Sequence, residues 1–551
     1  MFSKPLQIFA CMLGAAAADA STGTRPRSAP EFDLLIRNGD VVDGSGKLGM
    51  RADVGVANGI IVFVGNAAGK HARREINASG LVVSPGFIDV HSHSETPWRD
   101  EPMKENLANV TQGVTTVVLG PDGYYAPAEI AKWKIKFSRT GFGTNYAFYV
   151  GHGGVRTEIM GKDRKRPATP HEIERMRLLV AQGMREGAVG LSTGLMYDPG
   201  MYAETGEIAS LAREAGKYGG VYDSHVRDPA HNLIASDEEA IEIGRLANVP
   251  VKIAHEKAPG LANKGRSADV IALVNNERSA GRDVVIDQYP YDAAGIDFLA
   301  SERLGLFQLP GEFTNISALR AALKSDREEV KRLTEEGRDG GFSWIKALGY
   351  GSLRIVDSPE NPSLVGQNIE VMASERGISG FEMIAQLVEK YDKIRVTLGT
   401  IDEGDVRALL VQPWTIIASD GAASDEAGDP DACRSHPRTT GTFVRILGHY
   451  VREVGLLSLP EAVRKMTSLP ASYLKLKDRG LLKPGMAADI AIFDPETIAP
   501  QSTYVNPCAL TTPTGPAYVF VNGVAVVDRG NPTKATPGQF VPRVRQAGKL
   551  P

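Results

Sequence analysis

The chain has 551 residues, of which 42% are hydrophobic and 23% are charged. This length exceeds what one hydrophobic core supports, so we expect two or three structural units and exclude a small binding module. The 62 basic and 66 acidic residues leave a formal charge of −4, which provides no basic footprint for nucleic acid or an anionic membrane surface. The composition favours a globular protein with a small-molecule partner.

The first 20 residues have the pattern of a secretory signal peptide. Lys4 precedes an apolar stretch from Pro5 to Ala17, and small residues follow it. The stretch has signal length and is too short to span a bilayer, so we predict no membrane span. We expect residues 1–20 to be removed and the protein to be secreted or periplasmic. The alternatives are a cytosolic N-terminus without a leader, or a lipoprotein anchored through Cys11.

Short runs rich in Val and Ile occur at both ends of the chain. DLLIRNGDVVDGSG begins at Asp33, and GMAADIAIFD (485–494) and YVFVNGVAVVDRG (518–530) lie near the C-terminus. The Asn-Gly and Asp-Gly pairs between the runs indicate β-hairpins. We therefore predict that both ends share one β domain.

Eight apolar runs alternate with helical segments between these ends, which is typical of βα units around a parallel sheet. The runs are residues 81–90, 114–120, 146–152, 188–194, 220–225, 249–255, 283–289 and 414–420. They predict a closed (β/α)₈ barrel with its active site at the carboxyl ends of the strands. The long last interval contains helix-like segments at 316–337 and 380–392, which predict an inserted lid.

Metal-binding residue types stand at the ends of these runs. His91 and His93 close the first run, His225 the fifth, His255 the sixth and Asp420 the last. A single histidine at a strand end is more often structural. Four imidazoles and a carboxylate at one barrel mouth instead predict a metal centre for one or two divalent ions. The ligands fit zinc, and residue identity leaves manganese, iron and cobalt open.

Ten sequence phrases in order resemble the N-acyl-D-amino-acid deacylases, or D-aminoacylases, of the amidohydrolase superfamily. They are PGFIDVHSH, TQGVTTVVLG, EGAVGLSTGLMYDPG, GGVYDSHVRD, VPVKIAHEK, DQYPYDA, QPWTIIASDG, HPRTTGTFVRILGHY, KMTSLPA and LLKPGMAADIAIFDP, within residues 32–543. The resemblance implies an α/β fold with a TIM-like metal-dependent hydrolase barrel, a small β-sandwich from both termini and a lid before the last barrel strand. The implied bounds are 32–80 and 480–543 for the sandwich, 81–479 for the barrel and about 295–412 for the lid.

The same resemblance implies roles for the metal-binding residues. His91 and His93 would bind one metal position and His225 and His255 the other, while Asp420 would be both a ligand and the catalytic base.

One position departs from the family pattern. The D-aminoacylases carry a metal-binding cysteine in a Gly-Asn-Cys-Gly turn, where this chain has Gly-Pro-Asp-Gly at 120–123. Asp122 can bind a divalent ion through oxygen, and its harder ligand atom disfavours the softest metals. The other interpretation of Asp122 is a plain Asp-Gly turn.

A second set of residues bears on the substrate. Lys257, Tyr289 and Arg438 resemble the positions with which D-aminoacylases bind the α-carboxylate of the substrate. An ammonium, a phenol and a guanidinium suit a carboxylate chemically. His152, after the third strand, is a candidate to hold the substrate or the oxyanion, or else a structural histidine.

The resemblance implies a hydrolase that removes the acyl group from N-acyl-D-amino acids by attack of a metal-activated hydroxide. Alternatives in the same superfamily are a dipeptidase and a hydrolase of cyclic amides such as hydantoins. A hydantoin lacks the free carboxylate that the second residue set would bind. A catalytically silent ligand-binding barrel is the alternative from another class.

Overall fold

The computed structural model describes residues 31–95, 103–300, 306–309, 315–338, 343–422 and 436–543. The predicted leader at 1–20, with Cys11, lies outside them. The strands are β1 (Phe32–Val41), β2 (Met50–Ala57), β3 (Ile60–Gly65), β4 (Ala72–Asn77), β5 (Val82–Pro85), β6 (Phe87–Asp89), β7 (Ser92–His93), β8 (Val114–Leu119), β9 (Asn145–Gly151), β10 (Gly190–Gly194), β11 (Val221–His225), β12 (Val251–Ile253), β13 (Val284–Gln288), β14 (Ala293–Phe298), β15 (Arg354–Asp357), β16 (Arg395–Thr400), β17 (Thr415–Ile417), β18 (Gly421–Ala422), β19 (Ile490–Phe493), β20 (Tyr518–Val521), β21 (Val524–Asp528) and β22 (Asn531–Pro532).

The α-helices are α1 (Leu107–Val110), α2 (Pro127–Thr140), α3 (His152–Met160), α4 (Pro170–Arg185), α5 (Thr205–Lys217), α6 (Leu233–Ala247), α7 (Ser267–Ser279), α8 (Ile316–Ser325), α9 (Arg327–Glu336), α10 (Trp344–Leu348), α11 (Ile369–Arg376), α12 (Gly380–Lys390), α13 (Glu403–Leu410), α14 (Arg438–Arg445), α15 (Leu459–Met466) and α16 (Ser468–Tyr473). A π-helix, Ile446–Glu453, continues α14. Within the described ranges, none of the helices is long and apolar enough to cross a membrane.

Eight parallel strands form the central barrel, in the order β6, β8, β9, β10, β11, β12, β13 and β17. Every residue of β8, β9 and β13 is buried, as expected for a parallel sheet that is covered on both faces. Among the described residues β6 and β17 share no strand pairing, but the Ser419 N–H donates to the Asp89 side chain at 3.0 Å and β7 pairs with β18 at this seam, so the barrel is nearly closed. The predicted barrel is confirmed.

The two ends of the chain form one nine-stranded sheet from β1–β5 and β19–β22. Strand β5 pairs with β1 on one side and with β19 on the other, which joins the N-terminal and C-terminal parts. A bridge between Ile60 and Ala487 brings the β2–β3 hairpin back against the start of β19. The sheet thereby encloses a core of its own that includes Leu34, Val54 and Ile490, and the predicted β unit from both termini is confirmed.

The apolar run at 81–90 contributes one strand to each of two sheets. Its first half is β5 in the terminal sheet, and its second half is β6 in the barrel. Gly86 lies between them, and a β-carbon there would lie 2.2 Å from Thr115 Cγ2. The chain therefore passes from one sheet to the other through a position that admits no side chain.

The insertion before the last barrel strand contains the three-stranded sheet β14–β16–β15 and helices α8–α12. The helix-like segment at 316–337 forms two helices, because the Asp326 side chain accepts the Glu329 N–H and begins α9. The insertion has its own apolar core, which includes Phe381 and Leu398, and Met196 from the loop after β10 packs into it. This contact places the insertion at the carboxyl ends of the barrel strands.

Candidate metal centre

The six predicted metal ligands lie together at the carboxyl-end mouth of the barrel. The first group contains His91, His93, Asp122 and Asp420, whose ligand atoms lie within 4.8 Å of one another. Asp420 Oδ1 is 3.5 Å from His91 Nε2 and 3.3 Å from His93 Nε2. Two ligands at about 2.0–2.1 Å from a tetrahedral ion are separated by about 3.3 Å, so this group suits one ion.

Asp122 also belongs to a second group, with His225 and His255. Asp122 Oδ1 lies 3.5 Å from His225 Nδ1 and 3.7 Å from His255 Nε2. Asp122 Oδ2 lies 3.4 Å from His93 Nε2 in the first group. One carboxylate therefore faces both histidine pairs and could bind an ion held by either of them.

Three of these residues have left-handed backbone conformations, with φ of 57° at Asp122, 36° at His255 and 48° at Asp420. Such conformations are uncommon outside glycine and cluster at functional sites, where the surrounding structure holds them. The turn that carries Asp122 packs against Gly151 and Gly194. A β-carbon at Gly194 would lie 2.4 Å from the Asp122 carbonyl oxygen. Gly151 and Gly194 lie at the ends of β9 and β10, and because they have no side chains this turn can reach the barrel mouth.

Several of the ligand atoms are buried and have no protein partner among the described residues. His91 is fully buried, and both its nitrogens, together with His225 Nδ1 and Asp122 Oδ1, have no hydrogen-bond partner in the described part of the chain. Burial lowers the pKa of His225, and burial together with the Lys257 ammonium lowers the pKa of His255. Burial opposes the charge on His91 and His93 as well, but the Asp122 and Asp420 carboxylates outweigh it and raise the pKa of both. Metals bind neutral imidazole, and a bound cation takes the place of the protons that the carboxylates favour on His91 and His93. Buried lone pairs without a partner are costly, so these residues fit a divalent metal centre.

The two carboxyl groups are ionised. Burial alone would raise the pKa of Asp420, but the Arg438 guanidinium and the nearby histidines hold it well below its usual range. Burial opposes ionisation of Asp122 in the same way, and the surrounding imidazoles outweigh it and lower the pKa. Both groups therefore present negative charge to a cation at neutral pH.

Lys257, Tyr289 and Arg438 lie close together beside Asp420, and we call this group of three side chains the carboxylate recess. The Arg438 guanidinium carbon lies 4.6 Å from the Tyr289 ring centroid, and Lys257 Nζ lies 5.7 Å from it. Arg438 Nη1 is 3.0 Å from Asp420 Oδ2. The Tyr289 hydroxyl and Arg438 Nε are buried and have no well-placed hydrogen-bond partner among the residues that the structure describes. These two groups are thus available to an anion next to the metal ligands, while Lys257 Nζ donates to the His255 carbonyl oxygen and Arg438 Nη1 to the Ala294 carbonyl oxygen.

His152 lies at the start of α3, and its ring is fully buried. His152 Nε2 is 2.9 Å from Glu207 Oε1, and Arg156 Nη1 donates to both oxygens of the same carboxylate at 2.6 Å. The histidine is therefore part of a buried charged cluster. Its contact with a substrate stays a prediction.

Three buried charged residues below the metal ligands were not among the sequence-based candidates. Lys252 Nζ lies 2.6 Å from Asp223 Oδ1 and contacts the Asp287 carboxylate. Asp287 also accepts the His255 N–H at 2.6 Å and lies 3.8 Å from His91 Nδ1. Burial opposes the charge on Lys252, but the two carboxylates raise its pKa. Each of these three residues is a charged residue inside an apolar strand run, and that pattern could have identified them from the sequence.

Replacing Lys252 with methionine is expected to lower the free energy of unfolding by about 3–5 kcal/mol, because Asp223 and Asp287 lose their buried counter-charge. Urea denaturation of the purified variant measures the loss. The matched control is Lys264→Met, which removes an exposed partner of Asp402 and should cost at most about 1 kcal/mol. Equal losses in the two variants would contradict a supporting role for Lys252.

Barrel and site together define a metal-binding (β/α)₈ protein, and comparison with known proteins specifies the family. The amidohydrolase family model matches residues 353–527. A D-aminoacylase of Alcaligenes xylosoxydans xylosoxydans is 34% identical over 90% of this chain and 94% of its own length. The N-acyl-D-glutamate deacylase of the same organism is 31% identical over 93% of this chain and 97% of its own length.

Solved structures agree with these relatives. A D-aminoacylase crystal structure superposes with a TM-score of 0.72 at 33% identity, covering 93% of this chain and 100% of that one. The N-acyl-D-glutamate deacylase of Bordetella bronchiseptica, complexed with zinc and a phosphonate inhibitor, gives a TM-score of 0.71 at 29% identity, with coverage of 93% and 100%. The chain belongs to the D-aminoacylase family of amidohydrolases.

Proposed function

We propose that this protein is a metal-dependent hydrolase that removes the acyl group from N-acyl-D-amino acids. The observation that carries the proposal is the recess of Lys257, Tyr289 and Arg438 directly beside the metal-binding Asp420. Only the α-carbon separates the carboxylate from the amide nitrogen, so a substrate held by these side chains would have its amide bond close to Asp420. The names of the relatives, D-aminoacylase and N-acyl-D-glutamate deacylase, support the same substrate class.

The two histidine groups would hold the metal. His91, His93 and Asp420 form one position, His225 and His255 form the other, and Asp122 lies between them. These nitrogen and oxygen ligands suit zinc, in one or two equivalents. A bound ion lowers the pKa of a water molecule and polarises the amide carbonyl.

Asp420 moves the proton in this reaction. It accepts a proton from the attacking water as the new C–O bond forms, and it delivers that proton to the nitrogen as the C–N bond breaks. Arg438 supports this role because it lies 3.0 Å from Asp420 Oδ2 and keeps the carboxylate ionised. The products are a carboxylic acid and a free amino acid.

Replacing Tyr289 with phenylalanine is expected to raise KM for an N-acetyl-D-amino acid by about 10-fold to 100-fold with a small change in kcat. A hydrogen bond to a charged group contributes about 1.5–3 kcal/mol. The buried Tyr289 hydroxyl has no well-placed partner within the described chain, so its removal disturbs no hydrogen bond of the protein itself. Steady-state kinetics with the substrate and with its carboxamide analogue measure the effect. Tyr218→Phe, whose hydroxyl contacts Arg185 far from the recess, is the control. An unchanged KM would exclude Tyr289 as a carboxylate ligand.

The proposed function is tested by release of free amine from matched N-acetyl-D- and N-acetyl-L-amino acids, with the metal content measured on the same protein. A dipeptide with a C-terminal D-residue and a hydantoin complete the panel. We expect metal-dependent release from the D-substrates and no opening of the hydantoin, which lacks a free carboxylate. Dipeptide hydrolysis is the second candidate, since the recess fits a C-terminal carboxylate equally well. Turnover of only L-substrates or cyclic amides would overturn the proposal.

We also propose that the protein is exported to the periplasm or secreted. The signal-like residues 1–20 support this localisation. Cys508 is disulfide-bonded, and disulfides persist mainly in oxidising compartments. N-terminal sequencing and mass measurement of the protein from cell fractions test the proposal. An intact N-terminus in the cytosolic fraction would overturn it, and a lipid adduct on Cys11 would indicate a lipoprotein.

A further inference from the structure

A cavity of about 470 Å³ lies at the barrel mouth, and Asp122 forms part of its wall. Its other wall residues lie in the segments 123–132, 153–158 and 194–200, which follow the second, third and fourth barrel strands. Lys257, Tyr289 and Arg438 follow the sixth, seventh and eighth strands. In a barrel of eight strands these two sectors face each other across the mouth. The cavity and the carboxylate recess are therefore on opposite sides of the metal ligands.

Two tyrosines line the cavity where it adjoins the metal ligands. The Tyr124 ring stands edge-on to His93 with 5.7 Å between the centroids, and the Tyr197 ring lies 4.6 Å from His225. Tyr124 is 51% exposed although it directly follows the turn of Asp122. Each histidine pair thus has an aromatic side chain beside it that also faces the cavity.

The wall of the cavity carries both apolar and charged side chains. Ala126, Pro199 and the two tyrosines give it apolar surface, and the tyrosine rings lie beside the metal ligands. Glu129, Lys132 and Glu158 also line it, and all three are exposed to solvent. The cavity therefore has aromatic surface beside the metal ligands, and its wall also carries charged groups, among them Asp198.

The size of the cavity exceeds what an acetyl group needs. One water molecule takes about 30 Å³ in the liquid, so the volume has room for on the order of fifteen groups of that size. An acetyl group would leave most of the space unfilled. An aliphatic chain would cover this apolar surface along its length.

We propose that this cavity binds the acyl group of the substrate and that the preferred acyl group is a linear aliphatic chain of about eight to twelve carbons. The inference rests on the proposed deacylase function, because the amino acid half is placed by its carboxylate in the opposite recess. Cleavage then releases a medium-chain carboxylate into the cavity, whose open end gives the product a route to solvent.

The test compares kcat/KM for N-acetyl-, N-butanoyl-, N-octanoyl- and N-dodecanoyl-D-leucine with the metal-loaded protein. Each buried methylene contributes about fourfold, and part of the chain stays exposed, so we expect octanoyl to exceed acetyl by at least about 100-fold. Equal values for acetyl and octanoyl, with clear release of leucine, would overturn the inference and leave the proposed function standing. Absence of release from every member would overturn both.

Variants separate the acyl site from a general preference for apolar substrates. Ala128→Trp, on an exposed wall position of α2, is expected to bring the octanoyl-to-acetyl ratio close to one. Ser138→Trp places the same bulk on the same helix outside the cavity and should keep the wild-type ratio. Thr157→Trp narrows the cavity from α3 and replaces Ala128→Trp if that protein does not fold. An unchanged ratio in a folded wall variant would overturn the inference.

Discussion

Asp420→Asn is expected to lower kcat for N-acyl-D-amino acid hydrolysis by about 10³-fold to 10⁴-fold. The amide cannot accept the proton of the attacking water, so both the attack and the protonation of the leaving nitrogen lose their proton carrier. The loss is expected at every pH between 6 and 9, because the native carboxylate, with its pKa held well below the usual range, stays ionised throughout. Steady-state kinetics on wild type and variant measure it.

The metal content of the same samples shows whether the loss of kcat comes from a missing base or from a missing metal ion. Asp420 also lies close enough to His91 and His93 to bind the same metal ion. Its replacement can therefore weaken metal binding as well as remove the base. A deficit that persists after metal reconstitution belongs to proton transfer. Asp163→Asn, at an exposed position, is the matched control. More than a tenth of the wild-type kcat in the metal-loaded variant would exclude Asp420 as the base.

Most of the barrel could be predicted from the sequence, because each strand is a local apolar run that is buried on both faces. His91, His225, His255 and Asp420 could be placed together by one rule, since the carboxyl ends of parallel barrel strands meet at a single mouth. The boundary at Gly86 could not be read in this way. Both halves of the run are apolar, and only the pairing of β5 with β1 and β19, which are distant in the chain, assigns them to different sheets.

The parts of the site that could not be predicted from the sequence depend on contacts between residues that are distant in the chain. His152 meets Glu207 across 55 positions, and Lys252 meets Asp287 across 35. No local pattern specifies such partners, although a charge in a buried strand signals that a partner exists. The same limit applied to Asp122, since an Asp-Gly turn is common and its approach to four imidazoles depends on packing against Gly151 and Gly194.

Asp122→Ala is expected to lower the affinity for divalent ions by at least about 100-fold and to reduce the number of bound ions. Removal of a residue that merely orients a metal ligand already costs about 10-fold to 100-fold, and Asp122 faces both histidine pairs itself. Equilibrium dialysis with zinc and manganese, followed by elemental analysis, measures the affinity without reference to turnover. The control is Asp163→Ala, a carboxylate lost from the surface.

Asp122→Cys distinguishes a bridging ligand from a structural turn. A thiolate at this position should restore binding and shift the preference toward zinc over manganese, because sulfur is the softer ligand and manganese favours oxygen. A turn residue would show neither effect, and a cysteine there would behave like alanine. If the alanine variant binds as many ions as the wild type with the same affinity, Asp122 is a turn residue only, and the two histidine pairs must hold their ions without a shared carboxylate.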